Sequence, residues 1–285
     1  MSLLVPGGPD FQWYYSNITT TRPTTTSMGT SVTPGTAPTV GAWAQVAANT
    51  NITEEVYGVL ICFNNGSTSA TTRNILADIG VDNAGGTAYL TKIPYLQAGH
   101  ATPYGLGGSG IWYYFPLYIP RGSSVAVRAM GTTTTAFNCA ITFFGQPRRP
   151  DMVRAGSKVF AFGQLTATAS GTLVTPGTTA EGAWTQLGTA TTMPLWWWQV
   201  GYSQIDTTMS ANIMHLDLAS GTAATKKILM ENQVYQTTAA EQISNLPLTV
   251  NAYNNVATGD LIYGRMQCSG TADTSSGMIA YGLGG

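Results

Sequence analysis

Two stretches of this 285-residue chain are copies of one another, and no other feature of the sequence restricts the possible folds as strongly. Val32-Thr33-Pro34-Gly35-Thr36 returns as Val174-Thr175-Pro176-Gly177-Thr178, and Gly41-Ala42-Trp43-Ala44-Gln45 as Gly182-Ala183-Trp184-Thr185-Gln186. Tyr57, Val59, Ile61 and Phe63 match Trp196, Trp198, Val200 and Tyr202, and Asp78-Ile79 matches Asp217-Leu218. Gly122, Val125, Arg128, Phe144 and Gly145 then correspond to Gly259, Ile262, Arg265, Tyr281 and Gly282. The offset falls from 142 through 141 and 139 to 137, and it is constant within each segment. Loop insertions and deletions between two copies of one folded unit leave that stepwise drift. A unit of about 120 residues is domain-sized rather than solenoid-sized, so each copy is expected to enclose its own core.

Within each copy the apolar residues alternate with period two, the spacing of a strand. In 56–63 Tyr57, Val59, Ile61 and Phe63 share one face and Val56, Gly58, Leu60 and Cys62 the other; both are apolar, which predicts a central strand covered on both sides. The equivalent strand 195–202 is expected to point Trp196, Trp198, Val200 and Tyr202 inward and Trp197 outward. Strands are also expected near 74–79, 111–119, 124–130 and 138–144. Seven or eight short strands per copy, separated by Gly, Thr, Asn and Pro turns, indicate a β-sandwich or jelly roll. Composition agrees: the chain holds 43 Thr and 33 Gly, and threonine suits a pleated surface that must also meet water. No convincing amphipathic helix is present; the best candidate, Gln236 to Ser244, is short and polar.

The fold class expected is therefore all-β, with two tandem homologous β-sandwich or jelly-roll domains behind an extended N-terminal arm. The arm is assigned to residues 1–28, copy one to 29–146, a linker to 147–155 and copy two to 156–285. Two prolines and adjacent Arg148 and Arg149 mark the linker, because proline lacks a backbone donor and does not continue a sheet. Phe11, Trp13, Tyr14 and Tyr15 make the arm too aromatic for an idle tail, so it is expected to dock on the body or on a neighbouring chain.

Charge is sparse. Asp, Glu, Lys and Arg make up 9% of residues, with 12 basic against 13 acidic, where an average soluble domain carries roughly 25%. That balance weighs against nucleic-acid binding and membrane steering, which need clustered positive charge. No apolar run approaches the ~18 residues of a spanning helix, so membrane insertion is not expected. Nor does the start, with its early Pro6-Gly7-Gly8, read as a secretory signal.

Groups that could carry catalysis are few. His100 lies in a glycine-rich loop, His215 on the outward side of a strand, and neither has a second histidine at ligand spacing. Cys62, Cys139 and Cys268 form an odd set without Cys-x-x-Cys spacing and read as buried thiols. Gly105 to Gly110 lacks the helix and lysine of a phosphate loop. Glu54-Glu55 has no counterpart in copy two, and no serine stands in a nucleophile elbow. Asn17, Asn51 and Asn65 meet the glycosylation triplet, which arises readily in a Thr-rich chain. No catalytic, metal or cofactor site is expected.

Two constellations remain. Asp78 and Asp217 are repeat equivalents, as are Arg128 and Arg265, each arginine standing in an otherwise apolar strand; one structural charge pair per copy is expected. Trp112, Tyr113, Tyr114 and Tyr118 crowd one segment, and with Trp197 they form a candidate surface for a protein interface or for stacking on glycan rings.

The run Phe115-Pro116-Leu117-Tyr118-Ile119-Pro120-Arg121-Gly122-Ser123-Ser124-Val125-Ala126-Val127-Arg128, followed by a Thr-rich stretch and a closing strand ending Phe143-Phe144-Gly145, resembles a module of virion structural proteins of tailed bacteriophages. The upstream Gly-Ala-Trp-x-Gln strand fits the same module. Copy two keeps Gly259, Arg265 and the closing strand but carries Ala257-Thr258 in place of Pro120-Arg121. The resemblance implies a β-sandwich particle component: a capsid decoration protein, head fibre or spike, or tail fibre, with no catalytic residues carried over. Its partners would be other virion proteins and copies of itself, as a homo-oligomer at the particle surface. The alternatives are a glycan-binding receptor module of such a particle or a bacterial surface lectin, and a polysaccharide depolymerase built on paired carboxylates.

Overall fold

In the computed structural model the described residues are 11–18, 29–64, 75–98, 111–147, 154–163, 165–166, 169–189, 191–205, 213–236, 248–252, 254–269 and 276–285. His100, Asn65, the Gly105–Gly110 loop, Arg148, Arg149 and most of the candidate helix lie outside them. All regular elements among the described residues are strands.

The first half contributes β1 (Phe11–Ser16), β2 (Thr30–Val32), β3 (Gly35–Thr36), β4 (Ala44–Ala47), β5 (Val56–Asn64), β6 (Ile75–Asp82), β7 (Leu90–Gln97), β8 (Ile111–Phe115), β9 (Ser124–Gly131) and β10 (Phe137–Pro147). The second contributes β11 (Lys158–Gly163), the short pair β12 (Leu165–Thr166) and β13 (Ala169–Ser170), β14 (Thr172–Val174), β15 (Thr185–Gly188), β16 (Leu195–Ile205), β17 (Ile213–Gly221), β18 (Lys226–Gln236), β19 (Leu248–Ala252), β20 (Leu261–Cys268) and β21 (Ser276–Gly284). In the first half one sheet runs β1-β10-β5-β8 with β2 also on β10, and the other runs β3-β9-β6-β7 with β4 also on β9. The second half repeats the plan as β11-β21-β16-β19 with β14 on β21, and as β15-β20-β17-β18. The chain is thus all-β, built as jelly-roll-like sandwiches. Strand β16 is apolar on both faces because both are covered, Trp197 on one side and Trp198 and Val200 on the other, whereas β5, expected to be covered on both sides, meets the core through Val59, Ile61 and Phe63 on one face only.

The sheet order corrects the start of the first unit. The aromatic segment assigned to a separate arm is strand β1, paired antiparallel with β10 so that Trp13 faces Gly145 and Tyr14 faces Phe144. It occupies the place that β11 takes on β21, where Phe160 faces Gly282 and Ala161 faces Tyr281. The first sandwich therefore begins by residue 11, not 29. Sequence comparison missed this because Phe-Gln-Trp-Tyr-Tyr-Ser and Lys-Val-Phe-Ala-Phe-Gly share only alternation. Asn17 closes the strand: its amide donates to the Cys139 carbonyl at 3.0 Å and its side-chain oxygen accepts from the Ile141 N–H at 2.7 Å.

Separate cores are the second expectation the coordinates revise. Val59, Ile61, Phe63, Ile79, Val127, Ile141 and Phe143 fill the first sandwich, but the same continuous cluster takes in Val159, Trp196, Trp197, Ile279, Tyr281 and Leu283 of the second. The second sandwich keeps its own interior around Trp198, Val200, Leu216, Leu218, Ile262 and Met278. One sheet of the second unit is therefore apolar on both faces, with one face turned inward and the other buried against the first unit. Pro147, assigned to the linker, still belongs to β10 and pairs with Phe11.

Candidate functional site

The charged residues singled out by the repeat stand directly opposite each other across neighbouring strands, Asp78 to Arg128 and Asp217 to Arg265. Arg128 Nε donates to Asp78 Oδ2 at 3.1 Å, and Arg265 Nε to Asp217 Oδ2 at 2.7 Å. Each guanidinium lies over a tryptophan of the repeated Gly-Ala-Trp segment, with 4.4 Å from Cζ to the Trp43 centroid and 4.4 Å to that of Trp184. The second carboxylate oxygen turns the other way. Asp78 Oδ1 accepts the Tyr95 N–H at 3.1 Å, and Asp217 Oδ1 the Asn232 N–H at 2.6 Å. Tyr95 and Asn232 have φ of 54° and 52°, beside register shifts in the pairing of β7 with β6 and of β18 with β17. A carboxylate thus satisfies the N–H that each bulge withdraws from its ladder, and an arginine balances the carboxylate. The sequence signalled the ion pairs; the tryptophan and the bulge became visible only in three dimensions. The arrangement holds four neighbouring segments in register and offers no open coordination or reaction site.

Among the described residues no group of three or more His, Cys, Asp or Glu converges. The three cysteines are buried. Burial pushes the Cys62 thiol up to about 11 and the Cys139 thiol well above 9.0, the latter also through neighbouring Cys62.

The aromatic candidates divide into two groups. Trp197, expected on the outside, is fully buried, and its ring lies 5.3 Å from Phe115 of the first sandwich. Trp196, assigned to the interior of its own unit, joins the same shared cluster because the register shifts between Leu195 and Trp197. Tyr113 is also buried, donating to the Gln97 carbonyl at 2.8 Å and meeting Tyr281 edge-on at 5.8 Å. Neither Trp197 nor Tyr113 can stack on a ligand from solvent. They build a seam in which the outer face of β11-β21-β16 covers the β7/β8 edge of the first sandwich. The Tyr281 hydroxyl donates to the Tyr95 carbonyl at 2.9 Å and accepts from the Gln97 N–H at 3.3 Å, and the Gln199 amide donates to the Tyr114 carbonyl at 2.7 Å.

The second group lies on the outer face of β1-β10-β5-β8. The register sets Tyr14, Phe144 and Gly58 in one row, Ser16, Thr142, Leu60 and Tyr114 in the next, and Ala140, Cys62 and Trp112 in a third. Trp112 is 45% exposed and Tyr14 44%. Tyr114 folds across Gly58, where an added Cβ would stand 2.8 Å from the tyrosine oxygen, and its ring reaches Phe144 at 6.4 Å. Tyr14 meets Phe144 edge-on from the other side at 5.5 Å. Phe11 is buried 5.4 Å from Phe144, and Trp13 and Tyr15 pack against the core from the opposite face of β1. Tyr118 stands apart, edge-on to Tyr57 at 5.7 Å.

No family model matches the sequence, and no curated protein is detectably similar to it. Solved structures with a related strand arrangement include the STIV MCP, at 10% identity and a TM-score of 0.38 over 95% of this chain and 96% of that one. A tandem CBM22 pair from Paenibacillus barcinonensis Xyn10C aligns at 8% identity and a TM-score of 0.24 over 95% and 89%. A particle structure of infectious bursal virus aligns at 10% identity and a TM-score of 0.26 over 90% and 65%. Virus capsid proteins and carbohydrate-binding modules are thus both among the structural neighbours, and likeness at these scores extends to neither activity nor partners.

Proposed function

We propose that this protein is a non-enzymatic structural component of the surface of a tailed-phage or phage-like particle, acting as a capsid decoration, head-fibre or tail-fibre subunit. The observation that carries the reading is the use of the segment 115–128, on which the resemblance rests. Leu117 bridges to Gly156, with the Tyr118 N–H donating to the Gly156 carbonyl and the Gly156 N–H to the Pro116 carbonyl, each at 2.8 Å. Ile119 bridges to Val56, Gly122 turns at a φ of 77° with its N–H on the Ile52 carbonyl, and Arg128 closes onto Asp78. These contacts tie neighbouring segments of the fold together or join the two sandwiches, which supports a structural reading of the segment. A nearly neutral, hydroxyl-rich exterior also carries little long-range repulsion between many closely packed copies.

Imaging of particles that carry a label at the C-terminus tests the reading, with regularly spaced label on head or tail expected and its absence from purified particles contradicting it. A deletion probing attachment must stop at residue 10, since removing residues 1–28 would strip β1 from the sheet. One observation favours a second reading: exposed Trp112 and Tyr14 share a sheet face, a geometry suited to stacking on sugar rings. Glycan-array binding that disappears in Trp112→Ala would establish it.

A further inference from the structure

The contact between the two sandwiches is heterologous: a sheet face of copy two covers a sheet edge of copy one. Each copy owns both kinds of surface, and among the described residues one of each has no sheet seated on it. The unused face is the outer side of β1-β10-β5-β8. Position by position it corresponds to the buried one, with Tyr14 at the place of Ala161, Gly58 at Gln199, Leu60 at Gly201, Thr142 at Ile279 and Phe144 at Tyr281. The unused edge is β18 with β19, the counterpart of β7 with β8. On it Asn232 takes the place of Tyr95 and Val234 that of Gln97. Val234 is 57% exposed where Gln97 is buried.

We infer that chains associate head to tail, the outer face of β1-β10-β5-β8 in one chain docking on the β18/β19 edge of the next and repeating between chains the contact already made within one. The occupant is a second copy of this chain because the same fold already shows such a face seated on such an edge. Exposed aromatic side chains on the face and an exposed apolar side chain on an edge strand are what an unfilled contact of this type leaves behind. Phe144 keeps the ring of Tyr281 without its hydroxyl, so the bond that Tyr281 makes to the edge strand has no equivalent between chains. The contact between chains is accordingly weaker than the one within a chain, as a reversible assembly step requires. A heterologous contact of this kind closes into a ring or propagates as a filament, according to the rotation between copies.

The inference deepens the particle-subunit reading by naming the surfaces of self-contact, and the two fail separately: particle imaging decides the first and solution mass the second. Full-length protein is examined by sedimentation equilibrium or light scattering across its soluble concentration range. Mass should rise with concentration, and both a face variant (Tyr14→Glu with Trp112→Glu) and an edge variant (Val234→Lys) should self-associate about tenfold or more weakly. Mixed, the two variants retain one intact face and one intact edge between them, so they should form a dimer of one each that grows no further. All three positions are exposed, and unchanged far-UV circular dichroism with an unchanged melting temperature establishes that each variant is folded; Trp112→Ala replaces the charge variant if it is not. Wild-type protein that stays monomeric throughout, a dimer indifferent to Val234→Lys, or a mixture of variants that never pairs overturns the inference. So does a face that binds glycan while the protein remains monomeric.

Discussion

The Tyr281 hydroxyl donates a hydrogen bond to the Tyr95 carbonyl at 2.9 Å, joining the last strand of the second sandwich to an edge strand of the first. The two residues are 186 positions apart in sequence, Tyr281 buried and Tyr95 half-buried. Around them Phe115, Tyr113 and Trp197 exclude water, so the seam is part of a core rather than a hinge.

A seam built this way should make the two sandwiches unfold together. Truncating Trp197→Ala removes a fully buried indole from the contact and is expected to cost about 3–5 kcal/mol. Urea titration followed by far-UV circular dichroism should give one transition for the wild type. Trp197→Ala should shift the midpoint strongly or split the curve in two, and a variant curve superimposable on the wild type would contradict the shared core.

The two ion pairs should differ in value. The Asp217 side chain is 3% exposed and that of Arg265 17%, whereas Asp78 and Arg128 are at 10% and 29%. Removing Arg128 strands Asp78, whereas removing Arg265 strands both Asp217 and Glu181, and a stranded carboxylate is worse the deeper it lies. Arg265→Met should therefore cost about 3–5 kcal/mol, and Arg128→Met clearly less. Equal losses in chemical denaturation would show that burial does not set the difference.

Gly80 permits the tryptophan stack in the first copy. An added Cβ would stand 2.5 Å from the Trp43 ring, over which the Arg128 guanidinium lies. Gly80→Ala forces the ring away and is expected to cost about 1–3 kcal/mol through overpacking. Trp43→Ala in the same background should abolish most of that extra penalty, a non-additivity that a double-mutant cycle measures.

Alkaline pH should destabilise the fold. Burial raises the Cys62 thiol to about 11 from an ordinary 9.0 and the Cys139 thiol in the same direction. A thiol whose folded value is raised favours the protonated fold, so its contribution is complete below the unfolded value and fades as pH climbs through 9 toward 11. Melting temperature should fall over that interval, and less steeply in Cys62→Ala with Cys139→Ala. In native protein at pH 8 a thiol-specific reagent should leave both cysteines unmodified.

The duplicated plan, the strand periodicity and the placing of Asp78, Arg128, Asp217 and Arg265 on facing strands were legible in the sequence, because period two and the repeat offset are properties of order along the chain. Trp197 shows where such reading stops. Alternation correctly put it on the face opposite Trp198 and Val200, but alternation reports only which side of a sheet a residue takes, never what lies beyond that side. A first sandwich lies there, and this turned an apparent surface residue into a core one. The same limit hid β1, whose membership depends on hydrogen bonds to β10 more than 120 residues away, and the bulges at Tyr95 and Asn232, which a carboxylate on the adjacent strand stabilises. Local order along the chain fixes strands and faces; which face meets which edge is decided by long-range contact, where burial of apolar surface selects among arrangements that local pattern leaves equal.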